Sequence, residues 1–263
     1  MCRMLVSVAE NANESAPPRI LPCRRRDRNG ATTVTAVVPV IIAALCRLYH
    51  TLILQKVNLN TCVLRSRNVL IMKIRKGKIE DAPFLSEVLM EAVGEELCIG
   101  LADTNERLPL VTKLFTTLAA APDSQYSYNN AFIAVDADDK PLGGIISYDG
   151  AKLHELRKAF VREANRILGW NVTEEEAECW GDEADKGEIY IDSLYVVAGA
   201  RRQGVATALL DAVEKRYEGS GKPLGLLVEP DNQNARETYR HWGFRKAGIS
   251  NFFQTPMIHK QRR

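Results

Sequence analysis

The sequence predicts an α/β domain: a mixed central sheet, mostly antiparallel first and parallel later, flanked by helices on both faces. Three observations carry this. From residue 72 onward, apolar residues at helical spacing alternate with short apolar runs of strand length. One pair of runs, "AFIAVDADDKPLGGIISY" (131–148), surrounds the turn residues Asp138-Asp139-Lys140-Pro141 and reads as an antiparallel hairpin. The later runs are separated by helices, the pattern that lets strands pair in parallel.

Residues 72–76 form a short strand, and "IEDAPFLSEVLMEAV" then places Ile79, Phe84, Leu85, Val88, Leu89 and Val93 at helical spacing. "NERLPLVTKLFTTLAAA" is a second amphipathic helix, with Pro109 near its start. After the hairpin, "AKLHELRKAFVREANRIL" is a charged helix whose apolar stripe holds Leu153, Leu156, Phe160, Ala164, Ile167 and Leu168. The acidic stretch "TEEEAECWGDEADKGE" reads as a solvated loop before a strand at 188–197. A helix with Val205, Leu209, Leu210 and Val213 on one face runs to about Arg216. "KPLGLLVEP" is a buried strand, "DNQNARETYRHWGF" a helix ending at Gly243, and "RKAGISNFFQTPMIHK" holds one last strand. The closing "HKQRR" reads as a solvated tail.

The chain has a compositional seam at Met72. Residues 1–71 hold ten Arg/Lys against three Asp/Glu, which leaves 25 against 30 for the remainder. The basic residues before the seam are arginines except for Lys56, and four of the six cysteines (Cys2, Cys23, Cys46, Cys62) lie there. This composition predicts a domain beginning at Met72, with residues 1–71 an upstream extension that is unstructured or not part of the native protein. The apolar run at 31–46 is short for a spanning helix and contains Pro39, so the sequence favours a cytoplasmic protein over one tethered through residues 31–54. Cys98 and Cys179 are isolated and read as small buried hydrophobes. The four histidines have no metal-ligand spacing, so no metal is expected.

The chemistry concentrates at "RRQGVATALL" (201–210). A strand that ends in a short basic, glycine-containing turn and feeds a helix presents unpaired backbone N–H groups at the positive end of the helix dipole, which suits a phosphate. Residues 202–207 supply the N–H donors, an arginine supplies a further one, Gly204 lets the backbone come close, and Ala206 keeps the first turn slim. "GSGKP" (219–223) is not a second phosphate loop, because Arg216 and Pro223 stand where glycine and Ser/Thr are needed.

Arg201-Arg202-Gln203-Gly204-Val205-Ala206 resembles the acetyl-CoA signature Q/R-x-x-G-x-G/A of the GCN5-related N-acetyltransferase (GNAT) superfamily. The upstream "LYVVAGARRQG" resembles that family's strand and loop. Downstream, Asn232-x-x-Ala235-x-x-x-Tyr239 running into Gly243-Phe244 resembles its closing helix, and the likeness covers most of residues 72–263. The chain departs from the family at Ala198, where proline is common, and at Arg202, where glycine is common.

The resemblance implies the acyl-CoA N-acyltransferase fold, acetyl-CoA as cosubstrate, and direct transfer to a primary amine in a ternary complex. It implies that Leu194, Tyr195, Val196, Arg201, Arg202, Gln203, Gly204, Val205, Ala206, Thr207 and Asn232 contact the cofactor. A backbone N–H around Leu194 to Val196 would stabilise the oxyanion, and Tyr239 stands at the general-acid position. Tyr239 also reads as core, since Ala235, Tyr239 and Trp242 share a helical face, and Asn232 also reads as the helix N-cap. For the base, Asp192 and Glu188 are expected on the same face as Leu194 and Val196, opposite Tyr195. Asp192 is the candidate, with a solvent-facing structural carboxylate as the other reading.

The acceptor is a small-molecule or peptide amine, and the acidic run 174–185 either attracts it or is simply a solvated loop. A non-catalytic acyl-CoA-sensing domain is the competing class. Nothing aromatic and basic points to nucleic acid, and a homodimer is left open.

Overall fold

The computed structural model describes residues 72–252 and 255–263. The expectations for the extension and for the apolar run therefore lie outside the described residues. Among these, no helix is long and apolar enough to cross a membrane.

The chain opens with β1 (Lys73–Lys76), followed by three helices: α1 (Ala82–Val93), α2 (Glu95–Ala102) and α3 (Leu108–Ala120). The hairpin β2 (Ala131–Val135) and β3 (Pro141–Asp149) leads to α4 (Leu153–Leu168) and the single turn α5 (Glu174–Glu178). Next come β4 (Ile189–Val196), α6 (Val205–Tyr217), β5 (Leu224–Val228), α7 (Gln233–His241) and a second hairpin, β6 (Arg245–Phe252) and β7 (Thr255–Arg262). The seven strands form one sheet in the order β1-β2-β3-β4-β5-β7-β6. The mixed α/β expectation holds, with parallel pairing confined to β4 and β5 because β7 inserts antiparallel beside β5.

Alternation along the strands feeds two main apolar cores. Ile133, Val135 and Ile146 pack with α1, α3 and α4 on one face. Phe132, Ala134, Ile145 and Leu226 pack with Val205, Leu209 and Val213 of α6 on the other. Burying a branched or aromatic side chain in either is worth about 1.5–3 kcal/mol.

Four local expectations change. The last strand is a hairpin, and the tail read as solvated is its second strand: Leu224 to Val228 pair with Arg262 to Ile258, and His259 and Lys260 are buried. The acidic stretch contains a helical turn, α5, closed by a capping box in which the Thr173 hydroxyl accepts from the Glu176 amide and the Glu176 carboxylate accepts from the Thr173 amide. Ile79 lies in a 3-10 turn and is 53% exposed rather than on the buried face of α1. Cys98 is buried as expected, its thiol pushed up to about 11 by burial and by Glu95 and Glu91, whereas Cys179 is exposed.

Candidate active site

β4 and β5 pair only through Ile189 with Leu224 and Tyr190 with Gly225. Beyond that point the two strands part, and β4 continues to Val196 paired on one side only, with β3. The Val197 amide donates to the Leu142 carbonyl at 3.0 Å on the β3 side. Backbone groups alternate sides along a strand, so those of Leu194 and Val196 point the other way, into the opening. One of them, the Val196 carbonyl, accepts from Arg201 Nε at 2.9 Å. The amides of Leu194 and Val196 have no β5 partner, which is what an oxyanion or a pantetheine carbonyl requires of them.

The loop that follows β4 is held from within. Gln203 Nε2 donates to the Gly199 carbonyl at 2.7 Å, and the Arg201 guanidinium lies 5.8 Å from the centre of the Tyr195 ring. Gly204 has φ +85°, and Arg202 has φ +59°. The first of α6's intrahelical bonds to Gly204 comes from the Ala208 amide, at 3.0 Å. The amides of Val205, Ala206 and Thr207 therefore have no acceptor within the helix and stand at its positive end. A Cβ at Gly204 would meet nothing within 4 Å, so this glycine answers a backbone requirement and leaves open space at the helix N-terminus. A pyrophosphate fits that donor set.

Asn232 caps α7, its Oδ1 accepting from the Ala235 amide at 3.0 Å, which leaves its NH2 group to donate elsewhere. Tyr239 is half-buried, with Trp242 and Phe244 edge-on at 5.9 Å. Its hydroxyl has no hydrogen-bond partner among the described residues, and burial raises its pKa above 10.0, so the phenol stays protonated at neutral pH. The ring is core packing, one of the two sequence readings, and the hydroxyl is unspent. Tyr239, Leu194 and Val196 pack against the same α6-side core.

The base candidates lie elsewhere. Ile146 pairs with Ser193 and Ser147 with Ile191, so Asp192 is an extra residue, a β-bulge. A bulge resets alternation, and Ile189, Ile191, Leu194 and Val196 all contact the α6-side core. Asp192 and Glu188 are consequently on the opposite face from Leu194 and Val196, the side of Tyr190 and Tyr195, which corrects the simple two-residue count. Asp192 is 8% exposed, so it is not solvent-facing either. Burial and the negative charge of Glu183 push its carboxyl up to about 6, against the hydroxyl of Ser193, which donates to Oδ1 at 2.8 Å. Its Oδ2 has no hydrogen-bond partner among the described residues.

Glu188 is fully buried and fully engaged. Its carboxylate accepts from His259 Nε2 at 2.7 Å, Gln261 Nε2 at 2.9 Å and the Asp185 amide at 2.9 Å, a structural clamp that leaves no oxygen for proton transfer.

A sequence model of the acetyltransferase (GNAT) family matches residues 112–244, half of the chain. The chain belongs to the GNAT acetyltransferase family. No curated protein matches the sequence. Among solved structures, a crystal structure described as an acetyltransferase is 23% identical, with TM-score 0.57 over 73% of this chain and 98% of that one. An N-acetyltransferase from Staphylococcus aureus Mu50 is 20% identical, with TM-score 0.54 over 72% and 100%. A histone acetyltransferase HPA2-related protein from Corynebacterium glutamicum is 16% identical, with TM-score 0.50 over 72% and 94%. At these identities the likeness is one of fold.

GNAT acetyltransferases take their acetyl group from acetyl-CoA, and the loop and splayed strands described above fit that molecule's phosphates and amides. The fold also explains the departure at Arg202: the position has φ +59°, which glycine adopts freely and an L side chain adopts at a cost of about 1–2 kcal/mol. Sequence reasoning missed the residues behind the bulge, above all Arg157 and Glu183. One signal was legible: Arg157 falls between Leu153 and Phe160 on the apolar stripe of α4, where an unpaired charge would not be tolerated.

Proposed function

We propose that this GNAT acetyltransferase transfers the acetyl group of acetyl-CoA directly to a primary amine, with Tyr239 as general acid and Asp192 as general base. The observation that carries the reading is the opening between β4 and β5, which has unpaired Leu194 and Val196 amides and an open helix N-terminus at Val205 to Thr207. An unspent tyrosine hydroxyl belongs to the core that lines one side of it.

In this reading the amides of Val205, Ala206 and Thr207, with Arg202 and Gln203 beside them, hold the pyrophosphate. The β4 edge aligns the pantetheine arm, and the Asn232 NH2 group donates to the cofactor. Asp192 takes one proton from the ammonium, which frees the nitrogen lone pair to form the C–N bond. The Leu194 or Val196 amide stabilises the oxyanion. As the C–S bond breaks, Tyr239 gives its phenolic proton to sulfur and is reprotonated as the nitrogen sheds its second proton to solvent. The products are an amide, coenzyme A and one net proton.

The test is coenzyme A release by the full chain across small amines, polyamines, aminoglycosides and peptide N-termini, with Tyr239→Phe alongside. Release with one amine class is expected, reduced roughly ten- to a thousandfold in the variant while acetyl-CoA affinity stays nearly unchanged. Undiminished turnover in Tyr239→Phe removes Tyr239 from the chemistry. Silence across the panel with acetyl-CoA still bound favours a sensing domain.

A further inference from the structure

Behind the bulge of β4 lies a buried polar cluster that the acetyl-transfer steps leave unused. Its centre is Glu183, 2% exposed, in the segment between α5 and β4. Arg157 of α4 is ion-paired to it, Gln125 Nε2 donates to it at 3.2 Å, and the Tyr148 hydroxyl of β3 donates at 3.3 Å. Arg157 is fixed in turn by the Gly181 carbonyl at 2.9 Å and the Ala177 carbonyl at 3.3 Å. Asp192 is on the same side: Tyr148, whose hydroxyl reaches Glu183, pairs across the strands with Tyr190, and Asp192 follows Tyr190 on that face of β4. The charges of both carboxyl groups also raise the pKa of the buried Tyr148 phenol, after burial itself.

The two carboxyl groups are unequally furnished. Glu183 has a guanidinium, an amide and a phenol, whereas Asp192 has the Ser193 hydroxyl on one oxygen and no described partner on the other. In a desolvated space, a carboxyl group with few donors binds a proton more readily when a second carboxyl group lies near it. One further charged pair adjoins the cluster: Asp182, at its exposed rim, lies 3.7 Å from the Arg157 guanidinium and 3.0 Å from His154 Nε2. Tyr190 is the neighbour on β4, and the α1 carboxylates Glu87 and Glu91 act on Tyr195, three residues farther along.

We propose that Glu183 is a positioning residue for amine deprotonation: held by Arg157, Gln125 and Tyr148, it makes Asp192 the proton-accepting carboxylate of the pair. The proposal rests on the reading of Asp192 as base. The proton leaves an ammonium N–H bond, whose electron pair stays on nitrogen, and passes through a water to the buried Asp192 carboxylate. Asp192 later returns it to solvent, and no other reactant is needed.

The experiment follows the Asp192 carboxyl by NMR in full-length protein labelled with 13C at aspartate, with the pH dependence of coenzyme A release measured using the fastest amine of the panel. In Glu183→Gln the Asp192 midpoint should fall from about 6 by about one pH unit, and the acid limb of kcat/KM should move with it. Because that substitution removes the nearest counter-charge of a buried guanidinium, Arg157→Met combined with Glu183→Gln serves as the second variant, with a fall in the same direction expected. A folded variant whose midpoint and acid limb both stay at their wild-type values overturns the proposal. Asp192→Asn separates the two ideas: an acid limb that survives it overturns the base assignment and with it the catalytic meaning of the coupling, even where the NMR midpoint still responds to Glu183.

Discussion

Gly204 adopts φ +85° at the entrance to α6, where a Cβ would have no other atom of the described residues within 4 Å. A side chain there would be strained by the backbone and, in the proposed complex, would sit where a pyrophosphate approaches the α6 amides. Gly204→Asp adds a negative charge to that strain, and acetyl-CoA affinity should fall at least about tenfold by calorimetry. Equal affinity in the variant would remove this loop from cofactor binding. Arg202, two residues earlier, shows that a non-glycine residue is tolerated in the left-handed region when it is exposed and its side chain is free to extend into solvent.

At the scale of elements, the short β4–β5 contact depends on Gly225. A Cβ at this position would collide with Glu188 Oε2, the atom that accepts from both His259 and Gln261. Gly225→Ala must displace a buried carboxylate from its donors, which should cost about 3–5 kcal/mol and show as an early urea midpoint or as insoluble protein. A midpoint equal to that of wild type would mean that the clamp yields without cost. The same contact shows why β7 was not legible as a strand. "HKQRR" carries no apolar alternation, because its polar residues are buried by partners far away in sequence: His259 and Gln261 reach Glu188, and the Lys260 ammonium donates to the Arg236 carbonyl at 3.1 Å. Composition within a window of about ten residues holds no trace of such pairing.

The whole molecule should be most stable at mildly acidic pH. Glu188 raises His259 above its ordinary 6.5, so that pair contributes fully below 6.5 and is lost as pH rises through the higher folded value. Asp192 acts in the same direction: its pKa rises from 3.8 to about 6 on folding, so stability declines as pH climbs through that interval. Asp81, held below 3.8 by Arg75 against its own burial, works oppositely, its contribution being lost as pH falls through its folded value. Thermal unfolding across about pH 4 to 8 should therefore peak below about 6.5, and Asp192→Asn should flatten the decline between about pH 4 and 6. A wild-type maximum at about pH 8 would contradict both assignments.

By itself, the sequence determined the mixed α/β class, the amphipathic faces of α1, α4 and α6, the phosphate-suited turn at residues 201–207 and the family likeness. Each of these is written in neighbouring residues, as a period, a cap or a short motif, so local sterics and hydrogen bonding suffice to express it. Only the tertiary structure decided the face on which Asp192 lies, the fate of Glu188 and the company of Glu183. A single inserted residue in β4 reverses the face of every residue after it, and ion pairs such as Arg157 with Glu183 join residues 26 positions apart. Such contacts are selected by the packing of the whole sheet, and the proton affinity of the Asp192 carboxyl depends on that packing.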